Sequence, residues 1–170
     1  MDFEGVGIVL VNYGSVDQIS ERFNHPEQFP GASIVVVDNF TTEVERSSVL
    51  ARACENQWLA LTPETNTGFG AGCNLGVEAA RRAGCDRILL INPDADIDTV
   101  SASLLLDAVD DDPMTLAGPR IIKSDGSLWS AGMDLDLATG DMRPWRARVD
   151  YPNAVTLPWL TGACLMLSID

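Results

Sequence analysis

Apolar and polar positions along the chain follow two rhythms. Unbroken aliphatic runs such as "GVGIVLVN", "ASIVVVDN" and "CDRILLIN" stop abruptly at an asparagine or aspartate. Between them lie longer stretches in which apolar residues recur every three or four positions. The first rhythm predicts strands buried on both faces, the second amphipathic helices. Strands are expected over 5–14, 32–39, 57–64 and 85–94, and helices over 15–25, 41–56, 68–84 and 98–113. Ser15 is placed to cap the first helix and Asp98 the fourth, while Gly84 stops the third and Pro113 ends the fourth. The apolar face of the third helix should run through Phe69, Cys73, Val77 and Ala80. After Pro113 the rhythm changes to short strands with turns at Asp125-Gly126 and Thr139-Gly140-Asp141. An irregular stretch over 143–158 and one last apolar strand over 159–168 follow. Alternation of this kind predicts βαβ units and a parallel sheet covered on both faces. With 170 residues and no internal repeat or linker, the chain is read as one α/β domain, 1–170.

Charge narrows the partners. Acids outnumber bases 25 to 11, for a formal net charge of −14. Such a surface repels nucleic acid and anionic lipid head groups, so nucleic acid is not an expected partner. A nucleotide would be repelled too, unless a cation or backbone N–H groups received it. Cys54, Cys73, Cys85 and Cys164 show no paired close spacing and read as small buried residues, and His25 is the only histidine, so a zinc site is not expected. The opening "MDFEGVG" lacks the basic end and long apolar stretch of a signal peptide, and no run is long enough for a membrane span. Free thiols and no export signal suggest the cytoplasm.

In an open parallel sheet, ligands bind beyond the carboxyl ends of the strands. Three such ends are polar here: Asn12-Tyr13, Asp38-Asn39, and Asn92 to Asp96. Any one alone is most simply a cap or turn, but three on one edge would converge in a single crevice. The segment "LLINPDADID" brings Asp94, Asp96 and Asp98 together. Asp98 reads as a helix cap. Asp94, with Asp96 as a candidate partner, reads as a site for Mg²⁺ or Mn²⁺, since such cations are typically held by one or two carboxylates plus substrate phosphates. A competing pattern is Gly70-x-Gly72-x-x-x-Gly76 at the start of a helix, followed by Asp94, which is the outline of a dinucleotide fingerprint. Here "PETNT" separates the glycines from the preceding strand, and they sit on the third βα unit rather than the first. A nicotinamide-dependent oxidoreductase therefore stands as the lesser alternative.

The order "VNYGS", "VVVDN", "NTGFGAGCNLG", "LLINPDAD" and "WLTGACLML" resembles the nucleotide-sugar domain of inverting family 2 glycosyltransferases. The likeness is greatest to the rhamnosyltransferase-like branch of bacterial cell-envelope assembly, and it extends over essentially the whole chain. The resemblance implies an A-type glycosyltransferase fold, with a Rossmann-like sheet and a smaller mixed sheet. It also implies a UDP- or dTDP-linked sugar donor, a Mg²⁺ or Mn²⁺ ion, and a glycan or lipid-linked acceptor. By it, Asn12 and Tyr13 flank the nucleotide base and Asp38 accepts a hydrogen bond from it. Asn66, Gly68 and Asn74 lie beside the nucleoside. Asn92-Pro93-Asp94 corresponds to the Asp-x-Asp metal motif, and Thr161, Gly162 and Ala163 line the sugar and acceptor pocket with Trp159 at its edge. The first acid of that motif is Asn92 here, so Asp94 acts alone or pairs with Asp96. The resemblance places the general base beyond Asp170, which makes the chain the donor-binding part of a longer enzyme. A non-catalytic nucleotide-sugar-binding remnant is the alternative. If a base does lie within, Asp134, Asp136 and Asp170 are its first candidates. The last apolar strand would leave surface exposed, so self-association as a homo-oligomer is expected, with a peripheral position at the inner face of the membrane for the longer form.

Overall fold

The computed structural model describes residues 2–24, 27–144 and 157–169; His25, Asp170 and the greater part of the stretch read as irregular lie outside the described residues. The first half alternates strand and helix as the pattern predicts: β1 (Val6–Asn12), α1 (Val16–Phe23), β2 (Ser33–Asp38), α2 (Glu43–Asn56), β3 (Leu59–Leu61), α3 (Phe69–Arg82), β4 (Arg87–Ile91) and α4 (Thr99–Asp111). The second half holds β5 (Leu116–Ala117), β6 (Ile121–Ile122), β7 (Leu128–Ser130), β8 (Met133–Leu135), β9 (Met142–Pro144) and β10 (Cys164–Ser168).

The main sheet has the order β3-β2-β1-β4-β10-β5. Its first four strands are parallel. β10 runs antiparallel to both β4 and β5, so it enters the sheet at the edge where β1, β2 and β4 leave. Each of β6–β7 and β8–β9 forms a two-stranded antiparallel sheet, so the strand-rich second half resolves into two hairpins. Alternation along the central strands feeds two cores. Ile8, Leu10, Val36 and Leu89 pack with the inner faces of α1, α2 and α4, while Val9, Val35 and Ile88 pack under α3.

Two local features differ from the expectations. α3 buries Gly72, Gly76, Ala79 and Ala80; of the expected face, Ala80 is buried and Val77 packs on the core, but Phe69 is 50% exposed. The reason is proximity. A Cβ on Gly76 would lie 2.3 Å from Val9 Cγ1, and one on Gly72 would lie 2.9 Å from Val11 Cγ1. The helix thus approaches β1 closely because those side chains are absent. Ser15 occupies the N-cap position of α1 but its side chain makes no cap bond. Its own N–H goes to Asn12 Oδ1 at 2.8 Å, and the N–H of Val16 goes to Glu45 Oε1 at 3.0 Å. The start of α1 is therefore capped by side chains from β1 and α2. Among the cysteines, Cys85 and Cys164 are buried as expected, but Cys54 is exposed on α2. Burial pushes the Cys164 thiol up to about 12.

Gly76→Ala must displace Val9 or α3, and overpacking of this kind typically costs about 1–3 kcal/mol. The urea midpoint should fall, with an unchanged slope. A Cβ on Gly70 meets nothing within 4 Å, so Gly70→Ala should bring no loss.

Candidate functional site

The carboxyl edge of the sheet is where the polar strand ends meet. β1 lies between β2 and β4, and its own connection leads to β2 while β4 arrives on its other side. This is the topological switch point, where crevices open in sheets of this kind. A hollow of about 310 Å³ lies there. Val11 and Tyr13 line it from β1 and its loop, and Ser15 and Gln18 from the start of α1. Phe69 contributes from the start of α3, and Asn92, Pro93 and Asp94 from the turn after β4. Tyr13 is 62% exposed and Phe69 50%, so two aromatic rings are presented at its rim.

The Asn92–Asp94 turn is fixed at both ends. Asn92 donates its N–H to Ala163 O at 2.9 Å, and Ala95 returns its N–H to Asn92 O at 3.0 Å. Asp94 is left exposed at the tip. Asp96 is exposed two residues on and is not among the residues lining the hollow. Asp98 caps α4, accepting from Ser101 N at 2.7 Å and Ser101 Oγ at 3.0 Å. Those bonds hold its carboxyl below the usual carboxylate range. Among the described residues, no group of three or more His, Cys, Asp or Glu could hold a metal. Asp94 is the one carboxylate among the described residues lining the hollow, with the Asn92 amide beside it in the same turn and the side-chain oxygens of Tyr13, Ser15 and Gln18 across from them. An open pair of hard oxygens fits a divalent cation that arrives with phosphate ligands of its own, and does not fit a fully caged ion.

Asn12 and Asp38 lie beneath this surface, each with 0% exposure. Asn12 donates to Asp38 Oδ1 at 3.3 Å and to Glu45 Oε1 at 3.0 Å, while its Oδ1 takes the Ser15 N–H. The other oxygen of Asp38 pairs with Arg46 Nε at 3.3 Å. Both carboxylate oxygens of Asp38 therefore have protein partners, and both side chains lie beneath the edge at which the sequence reading set them beside a base. Physically, a buried charge at a strand end must be neutralised and hydrogen-bonded, and its neighbours have done so.

The loop between β3 and α3 carries Asn66 and Gly68, both exposed; Asn66 Oδ1 accepts from Gly68 N at 2.8 Å. Asn74 is exposed one turn into α3 and does not line the hollow. At the start of β10, Gly162 faces Phe69: a Cβ there would stand 3.8 Å from its Cε1. Thr161 Oγ1 accepts from Ala163 N at 3.4 Å, and Trp159 is 36% exposed and bridged to Met133. Asp136 is spent on its own turn, accepting from Ala138 N at 2.9 Å. The structure thus brings Tyr13, Asn92 and Asp94 to one hollow and Gly162 to its rim by way of Phe69. It leaves Asp96 and Asn74 apart. Sequence reasoning missed Gln18, Glu45 and Arg46. Thr42-x-x-Glu45 has the form of a capping box, which signalled Glu45, but its carboxylate reaches Asn12 and Val16 instead of closing the box.

A second hollow, about 540 Å³, opens at the opposite edge among Phe23, Phe29, Trp58 and Gln57. Its only ionisable lining residue among those described is Glu55, and it is remote from every strand end discussed above. It brings no chemistry to an anionic ligand.

No protein-family model matches the chain, and neither does any curated protein. Solved structures do. GalNAc-T7, solved with UDP, GalNAc and Mn²⁺, superposes with a TM-score of 0.66 and 13% identity, covering 96% of this chain and 35% of that one. The fold is that of the A-type glycosyltransferases. A mannosyltransferase from Pyrobaculum calidifontis, PcManGT, solved with GDP-Man and Mn²⁺, superposes at 0.54 and 17% identity over 69% of this chain and 35% of its own. The chain therefore spans about a third of the length of these A-type glycosyltransferases. No helix among the described residues is long and apolar enough to cross a membrane.

Asn12→Leu would strip partners from Asp38, Glu45 and the Ser15 N–H at once. Each buried polar group left unpaired costs about 1–3 kcal/mol, so chemical denaturation should show a loss of at least that size despite the similar volume.

Proposed function

We propose that residues 1–170 form the donor-binding domain of an inverting family 2 glycosyltransferase of the rhamnosyltransferase-like branch. It takes a sugar from a UDP- or dTDP-linked donor for transfer to a glycan or lipid-linked acceptor of the cell envelope. The observation that carries this reading is the hollow at the β1–β4 switch point of an A-type glycosyltransferase fold, with the oxygens of Asp94 and Asn92 in it. The motif order over the whole chain supports the branch.

In this reading Asp94 and Asn92 hold a Mg²⁺ or Mn²⁺ ion, and Asp96 stays outside the first set of ligands. The ion, when bound, offsets the charge of the diphosphate and of the departing nucleotide. The chain's own residues supply the remainder. Tyr13 lies against the base, the Asn66–Gly68 loop receives the nucleoside, and Phe69 with Gly162 forms the wall on the sugar side. A chain with net charge −14 needs the cation to admit a diphosphate at all, which couples nucleotide binding to metal binding. We assign activation of the acceptor to none of the described residues. The cytoplasm, at the inner face of the membrane where lipid-linked acceptors lie, is its proposed place, and we expect it to self-associate.

The nicotinamide reading loses its main support. Two of its three glycines, Gly72 and Gly76, are accounted for by the close packing of α3 on Val11 and Val9.

Calorimetric titration with UDP and dTDP, each with Mn²⁺ and with EDTA, tests the proposal. The wild-type chain should bind only with the metal. Asp94→Ala should bind weakly and equally in both conditions, whereas Asp98→Ala should retain metal-dependent binding and lose stability through α4. Metal-independent binding by the wild type, or tighter binding of NAD than of either nucleotide, would overturn it.

A further inference from the structure

The nucleoside end of the proposed site depends on a loop with little structure of its own. Thr62–Gly68 has no strand or helix, and it is exposed from Glu64 onward. Two side chains from the β2–α2 segment tie it down. Asn39, 5% exposed, accepts from Thr67 N at 2.9 Å and Thr67 Oγ1 at 3.3 Å. The Arg46 guanidinium donates to Pro63 O at the other end of the loop while its Nε pairs with Asp38. Its Cζ lies over the Phe40 ring, 4.5 Å from the centroid, and Phe40 holds an unusual backbone φ of 24°. A non-glycine residue persists there only when its surroundings over-determine it.

We propose that Arg46 is a positioning residue for nucleoside recognition. With Asp38 as its buried anchor, it clamps the β3–α3 loop in the conformation that receives the nucleoside. Asp38 thus bears on the loop through Arg46. The inference rests on the donor-site reading above. The chemistry requires arginine. One guanidinium bonds an acceptor at the end of β2 and another in the loop after β3 while lying over an aromatic ring, whereas a lysine ammonium is a point charge on a flexible stem. A buried ion pair gives little net stability over an apolar pair, so its use here is to fix geometry. The preceding residue makes the arrangement two-sided. Glu45 reaches the opposite way to Asn12 and Val16. The first turn of α2 thereby braces both loops that flank the nucleoside.

The experiment uses Arg46→Lys and the double variant Asp38→Asn with Arg46→Met, which leaves no buried charge unpaired. Amide hydrogen exchange over 64–68 and titration with Mn²⁺ plus either UDP or inorganic pyrophosphate are compared with wild type. Pyrophosphate occupies only the metal end. Both variants should exchange faster in the loop and bind UDP about tenfold or more weakly, as expected when a preorganised loop must be ordered by the ligand. Their pyrophosphate affinity should stay within about twofold, since pyrophosphate is received by the Asn92–Asp94 turn, which neither substitution touches. Unchanged exchange in folded variants overturns the clamp. UDP affinity that holds, or that falls in step with pyrophosphate, overturns its role in nucleoside recognition. A wild-type chain that binds neither probe refutes the donor-site reading instead, while the exchange arm still tests the clamp.

Discussion

A carboxylate sealed at the end of a central strand is the constraint around which this edge of the molecule is arranged. Asp38 has no exposed surface, so its charge must be met by protein groups or not carried at all. Asn12 meets one oxygen from β1 and Arg46 the other from α2. Each of those partners has further bonds, to Glu45, Ser15 and Pro63. One burial requirement therefore propagates into the placement of three strand ends. Remove the charge and the loop after β3 keeps only its tie to Asn39, and the loop after β1 its tie to Glu45.

The hollow beside this network obeys the opposite electrostatics. Asp94 is exposed and has no cationic side chain among the residues lining its hollow. Within a few residues of sequence on neighbouring strands, the edge thus holds one acid whose charge is fully answered internally and another whose charge is available. Only the second can recruit a cation from solution. The division separates scaffold from chemistry: the inner network sets where the loops stand, and the outer turn offers oxygens to what arrives.

The strands and helices of the first half were legible because burial on two faces, and the turn residues that end it, leave strong periodic signals. The edge that carries ligands was legible for the same reason, since "VVVDN" and "LLINPD" stop the aliphatic runs with polar residues. Individual roles were harder to read. Nothing in a linear pattern says that Asn12 and Asp38 face inward, because their burial depends on a partner, Arg46, eight residues past the strand. The face of α3 was misjudged for a related reason. Hydrophobic periodicity counts large side chains, and here the contact is made by their absence. Thr42-x-x-Glu45 has the pattern of a local cap, yet the Glu45 carboxylate accepts from Asn12 on β1 and Val16 on α1. The second half gave turns correctly but not their pairing, since hairpins of two or three residues carry too few positions to fix a register.

The glycines of α3 have a geometric consequence beyond packing. They set how low the helix rides over β1, and a rigid helix transmits that height to its first residue. Phe69 sits at that end, on the rim of the hollow and against Gly162. The aperture between the aromatic rim and the Asn92–Asp94 turn is thus governed from within the core, by the volume allowed at two positions that no ligand touches. A change of volume at those two positions would alter what the hollow admits while every residue lining it stayed the same.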